Sequence, residues 1–215
     1  MIHSVHIPIM AEPILSAFKE GIEKIEGDVV LIDATFGGGG HTGIFLEQLP
    51  TRVKILSLDR DSGPITRGET QFKDDVASGR LHLVHTNFGD LTREKFPVAI
   101  RHLPFVAILA DLGFSSDQLE DPERGISFQR EGPLDMRLNR QEGATAWEVL
   151  NELSERELAD VIYKYGEERM SRRISSLIKN GLRAKTLENS TTAFAALVER
   201  AFPPKLRHGR IHAAT

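Results

Sequence analysis

Residues 29–43 read VVLIDATFGGGGHTG, and this stretch decides the fold. An apolar run, VVLIDATF, is followed by four consecutive glycines and then by IFLEQL, a second apolar and periodic stretch. Glycine loses more conformational freedom on folding than any other residue, at about 0.5–1 kcal/mol relative to alanine inside a regular element. Four glycines in succession therefore indicate a ligand, a strained turn or a flexible linker, and the apolar flanks disfavour the linker.

Three further apolar runs follow at intervals that suit parallel strands. The four predicted strands are VVLIDA (29–34), KILSL (54–58), LHLVH (81–85) and FVAILA (105–110). Continuous apolar runs are typical of a parallel sheet that is buried on both faces. The intervening segments, 41–49 and about 62–78, are long enough for crossover helices. A further helix is predicted from Pro13, with an apolar stripe formed by Ile14, Phe18, Ile22 and Ile25. This alternation predicts a doubly wound α/β domain.

The pattern changes after about residue 117, and no strand is predicted from there to about 209. SERELADVIYKYG opens with Ser154 and has Glu157 three residues later, which is the spacing of a capping box. GEERMSRRISSLIKNG is predicted to form a helix that stops at Gly181, and STTAFAALVERAF one that stops before Pro203. The sequence therefore predicts a helical region, either a separate domain or an insertion into the α/β domain.

Composition excludes several classes of protein. The 215 residues are 40% hydrophobic and 27% charged, as in ordinary globular proteins, and contain no cysteine, which excludes a disulfide framework and any thiolate metal site. The N-terminal MIHSVHIPIM has neither a basic segment nor a long apolar core, so no signal peptide is expected. The longest apolar run, FVAILA, is far too short for a membrane span. The eight histidines show no metal spacing, although His208 and His212 are four residues apart, and no bound metal is predicted.

Charge is unevenly distributed along the chain. The net charge is −4, yet residues 163–212 contain eleven Lys and Arg against four Asp and Glu. An acidic body with a basic C-terminal third indicates contact with a polyanion. A pair of solvated helix faces explains the same charges equally well.

The glycine loop follows the first strand of the predicted sheet, where nucleotide-like ligands bind. Asp59 lies near the end of the second strand, 21 residues after Gly38, and a carboxylate there can accept hydrogen bonds from both ribose hydroxyls. Loop and acid together predict an adenosine-containing cofactor, either NAD or S-adenosylmethionine. Asp33, directly before the turn, favours S-adenosylmethionine, because it suits a cationic amino group better than a diphosphate. The loop amides could bind the carboxylate of that cofactor.

Two other strand ends carry candidate site residues. Phe88 follows the third strand, where it could contact adenine or belong to the core. Asp111 ends the fourth strand and therefore lies at the same sheet edge as the glycine loop. The stretch that follows, DLGFSSDQLEDPERGISFQREGPLDMRLN, is the most specific part of the chain.

That stretch, together with DATFGGGGHTG, LDRD and YGEER (165–169), resembles the RsmH (MraW) family. Members are S-adenosylmethionine-dependent methyltransferases that modify N4 of a cytosine in the decoding region of bacterial 16S rRNA. The resemblance runs from HIPIM to HAAT. It implies a class I, Rossmann-like methyltransferase sheet with an inserted helical domain, a cytoplasmic location, and 16S rRNA within the small ribosomal subunit as partner.

By motif, the resemblance also implies the site residues. The cofactor positions are Asp33, Gly39, Gly40, His41, Asp59, Phe88, Asp111 and Gln118. The basic third becomes part of the rRNA-facing surface, with its densest positive run at Arg169, Arg172, Arg173, Lys179, Arg183 and Lys185. The implied domains are 1–117 for the cofactor, 118–209 for the helical substrate-recognition domain and 210–215 for the start of a return to the α/β domain. Later strands of the family's sheet are expected to be missing from this chain.

Methyl transfer to a cytosine amine needs an acceptor for its N–H, because the lone pair is delocalised into the ring. Asp111 is the candidate acceptor, with an N-cap as its alternative role. Phe114 could stack on the extruded base or pack in a core. For Arg124, Asp135 and Arg137, structural packing is the favoured prediction, and lining of the RNA path is the alternative. Two other functions remain as alternatives: a fragment that binds cofactor or RNA without turnover, and an NAD-dependent oxidoreductase.

Overall fold

The structure, a computed structural model, describes residues 8–203. The chain divides into two compact units with the boundary between Ser115 and Ser116. That boundary lies two residues before the predicted one, and the functions assigned to the two domains stay predictions. Residues 210–215, with their predicted return to the α/β domain, and both His208 and His212 lie outside the described residues.

The first unit is a parallel α/β sheet, as predicted. Its elements are α1 (Ala11–Glu23), β1 (Val29–Asp33), α2 (Gly40–Gln48), β2 (Val53–Asp59), α3 (Ser62–Gln71), α4 (Lys73–Ala77), β3 (Leu81–His85) and β4 (Phe105–Leu109). The strands are ordered β3-β2-β1-β4, and every pairing is parallel. The chain thus moves outward from β1 to β3 and returns to place β4 on the other side of β1.

Strand β1 is the buried centre of this unit. All five of its residues are buried, and alternate side chains enter different cores. Val29 and Leu31 join the cluster that α1 and α2 cover, whereas Val30 and Ile32 pack with residues such as Phe96. The predicted burial of both faces is therefore confirmed for β1, and the apolar stripe of α1 packs as expected against the first cluster.

Strand β4 departs from that prediction. Phe105 is 49% exposed and Ile108 is 57% exposed, so an apolar run does not mean burial here. The reason is position, since β4 lies at the edge of the described sheet and only β1 flanks it. The guanidinium of Arg93 lies 5.3 Å from the Phe105 ring centre and covers part of it.

The regular elements in the described part of the second unit are all helices, with a largely irregular segment at 121–145. Its helices are α5 (Ser116–Glu120), α6 (Ala146–Glu152), α7 (Glu155–Gly166), α8 (Ser171–Arg183) and α9 (Thr191–Glu199). The predicted capping box between Ser154 and Glu157 is present, and Trp147 packs against the unit's hydrophobic core. None of the helices within residues 8–203 is long and apolar enough to cross a membrane.

Helix α8 ends at Arg183, so the predicted stop at Gly181 is wrong. Gly181 is buried inside the helix, and a Cβ at this position would lie 3.1 Å from Cβ of Leu187. Glycine gives room at this point, where the chain after α8 turns back closely against the helix.

The ERG motif (123–125) and the GPLDMR motif (132–137) are in close backbone contact inside the second unit. A Cβ on Gly125 would lie 1.8 Å from the Pro133 carbonyl oxygen, and one on Gly132 would lie 1.9 Å from that of Pro122. Next to them, the guanidinium of Arg137 donates to both carboxylate oxygens of the buried Asp135, at 2.7 and 2.9 Å. The structural role predicted for this region is consistent with these contacts.

Substitution of Gly125 by alanine should destabilise the second unit by about 3 kcal/mol. The new Cβ would collide with backbone in addition to the cost of a left-handed residue, about 1–2 kcal/mol. Gly143 is the matched control, because its φ of 77° resembles the 63° of Gly125 while a Cβ there would meet nothing within 4 Å. Gly143→Ala should therefore cost only about 1 kcal/mol. Urea unfolding followed by the fluorescence of Trp147, the chain's single tryptophan, measures both. Equal losses in the two variants would contradict the proposed close approach.

Candidate cofactor site

The candidate site lies at the carboxyl ends of the strands, where the strand order reverses. Strand β1 runs between β2 and β4, and the chain leaves it towards β2 but reaches β4 last. In open α/β sheets, ligands bind at such a switch point. Register places Asp33 opposite Ser57 on one side and Leu109 on the other, so the segments after these residues meet at one edge.

A buried carboxylate organises the end of β1. Asp33 is only 1% exposed; its Oδ2 accepts from the Thr42 hydroxyl at 2.7 Å and its Oδ1 from the Thr35 amide at 3.2 Å. Thr42 and Ser57 are also hydrogen-bonded, at 2.7 Å. Burial raises the pKa of the Asp33 carboxyl, and the bonds from Thr42 and Thr35 offset part of that rise. Asp33 therefore joins both sides of the glycine loop and, through Thr42, strand β2.

The glycine loop is tightly packed rather than flexible. Gly39 has a φ of 77°, and a Cβ there would lie 2.8 Å from the Phe72 ring and 2.9 Å from the Phe36 ring. Phe36 is buried and contacts Phe72 edge-on, with ring centres 6.2 Å apart. Gly39 directly precedes α2, and within the described part of the chain no side-chain hydrogen bond caps the start of that helix. First-turn amides at an uncapped helix start are suited to a ligand carboxylate.

Asp59 links the loop to strand β2. Its Oδ2 accepts from the Gly37 amide at 2.9 Å, and its Oδ1 accepts from the Asp61 amide at 2.8 Å. Each carboxylate oxygen can accept a second hydrogen bond, so capacity for two hydroxyl donors remains. Burial raises the pKa of this carboxyl, and the two amides lower it again in part. The predicted ribose-binding acid thus lies beside the loop and is only partly buried.

The two candidate aromatic residues are accessible. Phe88 follows β3 in a short 3-10 turn and is 47% exposed, and Phe114 is 53% exposed. Neither is packed as a core residue, so this alternative is disfavoured for both. The N-cap alternative for Asp111 is disfavoured too, because α5 begins five residues later, at Ser116.

Thr35 is a site residue that the sequence analysis missed. Its hydroxyl oxygen accepts from the Asp111 amide at 2.8 Å, and its own amide donates to Asp33. One threonine therefore fixes the end of β4 to the end of β1. Only the position of Thr35, two residues after the strand-ending acid, could have indicated this role.

Two predicted cofactor residues are placed differently from the others. His41 is buried, and its Nε2 lies 3.0 Å from the Ile9 carbonyl oxygen, so it holds the segment before α1. Gln118 is buried in α5 and belongs to the second unit. Cofactor contact by either residue stays a prediction.

Of the predicted rRNA-facing residues, Lys179 requires a correction. It is 8% exposed, and its ammonium donates to the carbonyls of Leu150 and Asn151 near the end of α6. Its ammonium is hydrogen-bonded inside the unit, so Lys179 is not part of the candidate rRNA-facing surface. Arg183 is exposed but contacts Glu155 at 3.4 Å. The other four members, all exposed, are Arg169, Arg172, Arg173 and Lys185.

The residues at the sheet edge fit S-adenosylmethionine. Asp59 has free acceptor capacity for a ribose, exposed Phe88 lies beyond the neighbouring strand, and the uncapped start of α2 suits a carboxylate. Among residues 8–203, no group of three His, Asp or Glu side chains could hold a metal ion.

Comparison with known proteins identifies related sequences. A family model described as the MraW methylase family matches residues 3–215. "Ribosomal RNA small subunit methyltransferase H" of Prochlorococcus marinus (strain NATL1A) is 40% identical over 210 residues, covering 98% of this chain and 66% of that protein. The protein of the same name from Synechococcus sp. (strain CC9605) is 44% identical over 211 residues, covering 98% of this chain and 67% of its own. The chain thus spans about 66% of the length of the first of these curated relatives.

Stability should depend on pH in opposite ways through Asp33 and Asp135. The folded state raises the pKa of Asp33, so it binds that proton more tightly than the unfolded chain does. The resulting stabilisation is complete below the unfolded pKa, about 3.9, and is lost as pH rises through the folded pKa. Relative to Asp33→Asn, the wild type should therefore lose unfolding free energy as pH rises above about 4.

Asp135 provides the matched comparison of opposite sign. The hydrogen bond from Arg137 holds its pKa below the ordinary value, so its stabilisation is present above about pH 3.9 and is lost as pH falls. Urea unfolding of wild type, Asp33→Asn and Asp135→Asn across this range, followed by circular dichroism and Trp147 fluorescence, measures both slopes. Slopes of the same sign, or a pH-independent difference at Asp33, would contradict the assignment.

Proposed function

Because the chain belongs to the MraW methylase family, we propose that it is an S-adenosylmethionine-dependent methyltransferase. Its proposed substrate is N4 of a cytosine in the decoding region of 16S rRNA, within the small ribosomal subunit. The relatives' name supports the coarser part, since it specifies small-subunit ribosomal RNA. A ribosomal substrate would place the enzyme in the cytoplasm.

The hydrogen bond between Asp59 and the Gly37 amide carries the proposal. It brings the acid at the end of β2 against the glycine loop after β1, with acceptor capacity left over. In this arrangement Asp59 would hold the ribose hydroxyls, Phe88 would contact adenine, and the start of α2 would bind the carboxylate. Asp33 would act mainly through the loop, since Thr35 and Thr42 already donate to it.

When bound, S-adenosylmethionine would supply a methyl group activated by its sulfonium. Transfer to nitrogen is an in-line displacement, so the amine has to be held about 3–3.5 Å from the methyl carbon. Asp111 would accept an N–H from the amine and so favour a pyramidal nitrogen with an available lone pair. Thr35 fixes the Asp111 backbone, which limits the positions that this carboxylate can reach.

Phe114 would stack on the target base once it leaves its neighbours. A base must be unstacked before an enzyme can react with it, and aromatic side chains replace the lost stacking. The exposure of Phe114, at 53%, is compatible with that role. The exposed basic residues of the second unit would contact rRNA phosphates.

Ligand binding and methyl incorporation distinguish the proposed function from its two alternatives, an oxidoreductase and a chain that binds without turnover. An NAD-dependent oxidoreductase would bind NADH at the same loop. A chain that binds without turnover would retain S-adenosylhomocysteine but incorporate no methyl groups into small ribosomal subunits.

Isothermal calorimetry should show binding of S-adenosylhomocysteine and not of NADH. Asp59→Asn should weaken that binding about tenfold or more, because hydrogen bonds to a charged group contribute about 1.5–3 kcal/mol. Asp28→Asn is the control, since this exposed acid precedes β1 at the opposite end of the sheet. Preference for NADH, or equal affinity in both variants, would refute the proposed cofactor site.

Asp111→Asn should lower methyl transfer about a hundredfold or more, because the amine loses its charged acceptor. Affinity for S-adenosylhomocysteine is measured in parallel, because Asp111 is also a predicted cofactor position, and the loss of methyl transfer should exceed the loss of affinity. The Asp111 backbone contact to Thr35 is kept in the variant. The measurement is incorporation of labelled methyl groups into small ribosomal subunits. Undiminished transfer by the variant would exclude Asp111 as the acceptor.

A further inference from the structure

A polar cavity lies within the second unit, at the corner between α7 and α8. Its volume is about 190 Å³, and its lining residues are Ala159, Asp160, Tyr163, Arg169, Ser171 and Arg172. Ala159, Asp160 and Tyr163 lie along one side of α7. Arg169 is the last residue of the YGEER motif, and Ser171 and Arg172 begin α8. All six belong to the second unit.

The exposed tyrosine is the first feature that needs an explanation. Tyr163 is 59% exposed, although a tyrosine ring has a large apolar face. The chain's other tyrosine, Tyr165, is 84% exposed and does not line the cavity. At 3.6 residues per turn, side chains two positions apart point to nearly opposite sides of α7. Only Tyr163 therefore presents its ring beside the arginines.

The charged side chains around the Tyr163 ring favour an anionic ligand. Arg169 and Arg172 line the cavity, and Arg173 follows at the start of α8. The first turn of α8 contains no acidic residue, whereas α6 and α7 each have acids there. A helix N-terminus is the positive end of the helix dipole, so basic residues there are not favoured by the helix itself. Glu168 precedes α8, and its carboxylate accepts from the amide of Met170 at the helix start. The two guanidinium groups of the cavity still outnumber its one carboxylate, so a phosphate would balance the remaining positive charge.

Asp160 distinguishes this surface from a plain phosphate site. A carboxylate repels phosphate, but it accepts hydrogen bonds from amino groups on base edges. The cavity thus combines a ring that can stack on a base, an acceptor for that base's N–H and two guanidinium groups for phosphate. We propose that the α7–α8 corner is a subsite for one nucleotide of single-stranded RNA, with Tyr163 stacked on the base and Arg169 and Arg172 on the phosphate. This inference rests on the proposed function and adds a residue, Tyr163, that contacts a nucleotide other than the target base.

Single-stranded RNA is the favoured occupant because its bases are free to stack on side chains. Bases in a duplex already stack on each other, and an acidic peptide offers charge without a ring. The ring and the carboxylate would be unused by either of these ligands.

The test measures fluorescence anisotropy of a labelled single-stranded RNA 12-mer with the whole chain and S-adenosylhomocysteine. Tyr163→Ala should weaken binding about tenfold, because stacking on an aromatic ring contributes this much or more per base. Tyr163→Phe should retain affinity within about twofold, since it keeps the ring. Tyr165→Ala is the matched control and should bind as the wild type does. Circular dichroism checks that the variants remain folded, as expected for an exposed position.

The arginines are tested through the salt dependence of the same RNA binding. Arg172→Gln should reduce the slope of log affinity against log salt by about one, while Arg200→Gln, at an exposed arginine after α9, should not.

Equal losses in Tyr163→Ala and Tyr165→Ala would overturn the inference. So would a Phe variant as weak as the Ala variant, a preference for duplex RNA, or equal competition by polyglutamate.

This inference and the proposed function fail in different ways. Calorimetry that shows no S-adenosylhomocysteine binding refutes the cofactor site, whatever the RNA result. Normal cofactor binding with RNA affinity that is indifferent to Tyr163 refutes only the nucleotide subsite. Wild-type chain that binds cofactor but no RNA also overturns the subsite alone.

Discussion

The buried carboxylate of Asp33 is the constraint on which the rest of the site depends. A charge in the middle of a sheet is costly unless donors surround it. Here those donors are the Thr35 amide and the Thr42 hydroxyl, which lie on the two sides of the glycine loop. The carboxylate at the end of β1 therefore holds the two ends of the glycine loop together. The Thr35 hydroxyl in turn accepts from the amide of Asp111, just after β4, and Thr42 is hydrogen-bonded to Ser57 on β2, so both neighbouring strands are linked to this carboxylate.

This dependence explains why the loop can be rich in glycine and still be ordered. Left to itself, such a segment would sample many conformations, because glycine restricts the backbone least. Phe36 and Phe72 pack against Gly39, and Asp59 binds the Gly37 amide. The glycines thus permit close approach, while Phe36 of the loop itself, Phe72 at the end of α3 and Asp59 of β2 supply the order. A site arranged in this way needs little further ordering when a ligand enters, which favours binding.

The sequence predicted the elements well and the environments of single side chains less well. Four strands, their order in the chain and the Ser154 cap are encoded locally, by apolar runs and by spacing, and all were found. Other features depend on which segments meet in space. They are the exposure of Phe105, the burial of the Lys179 ammonium and the hydrogen bond between Thr35 and Asp111. Residue type and spacing hold no such information. Within the site, Asp59 lies beside the glycine loop, as the strand-ending position of this acid indicated, whereas the contact of His41 with Ile9 joins segments that no motif connects.

The charge at the sheet edge bears on the choice between the two cofactors. Asp33, Asp59 and Asp111 come from, or follow directly after, three neighbouring strands, so their carboxylates concentrate negative potential at one edge. A sulfonium and an ammonium would be attracted there, and a single carboxylate could still use the positive start of α2. A diphosphate would bring two negative charges to the same place, with one helix start to offset them. Burial raises the pKa of both Asp33 and Asp59 and so opposes their ionisation, whereas the hydrogen bonds that each carboxylate accepts favour it in part. Acids at this edge are thus compatible with the cationic groups of the proposed cofactor and less so with a diphosphate.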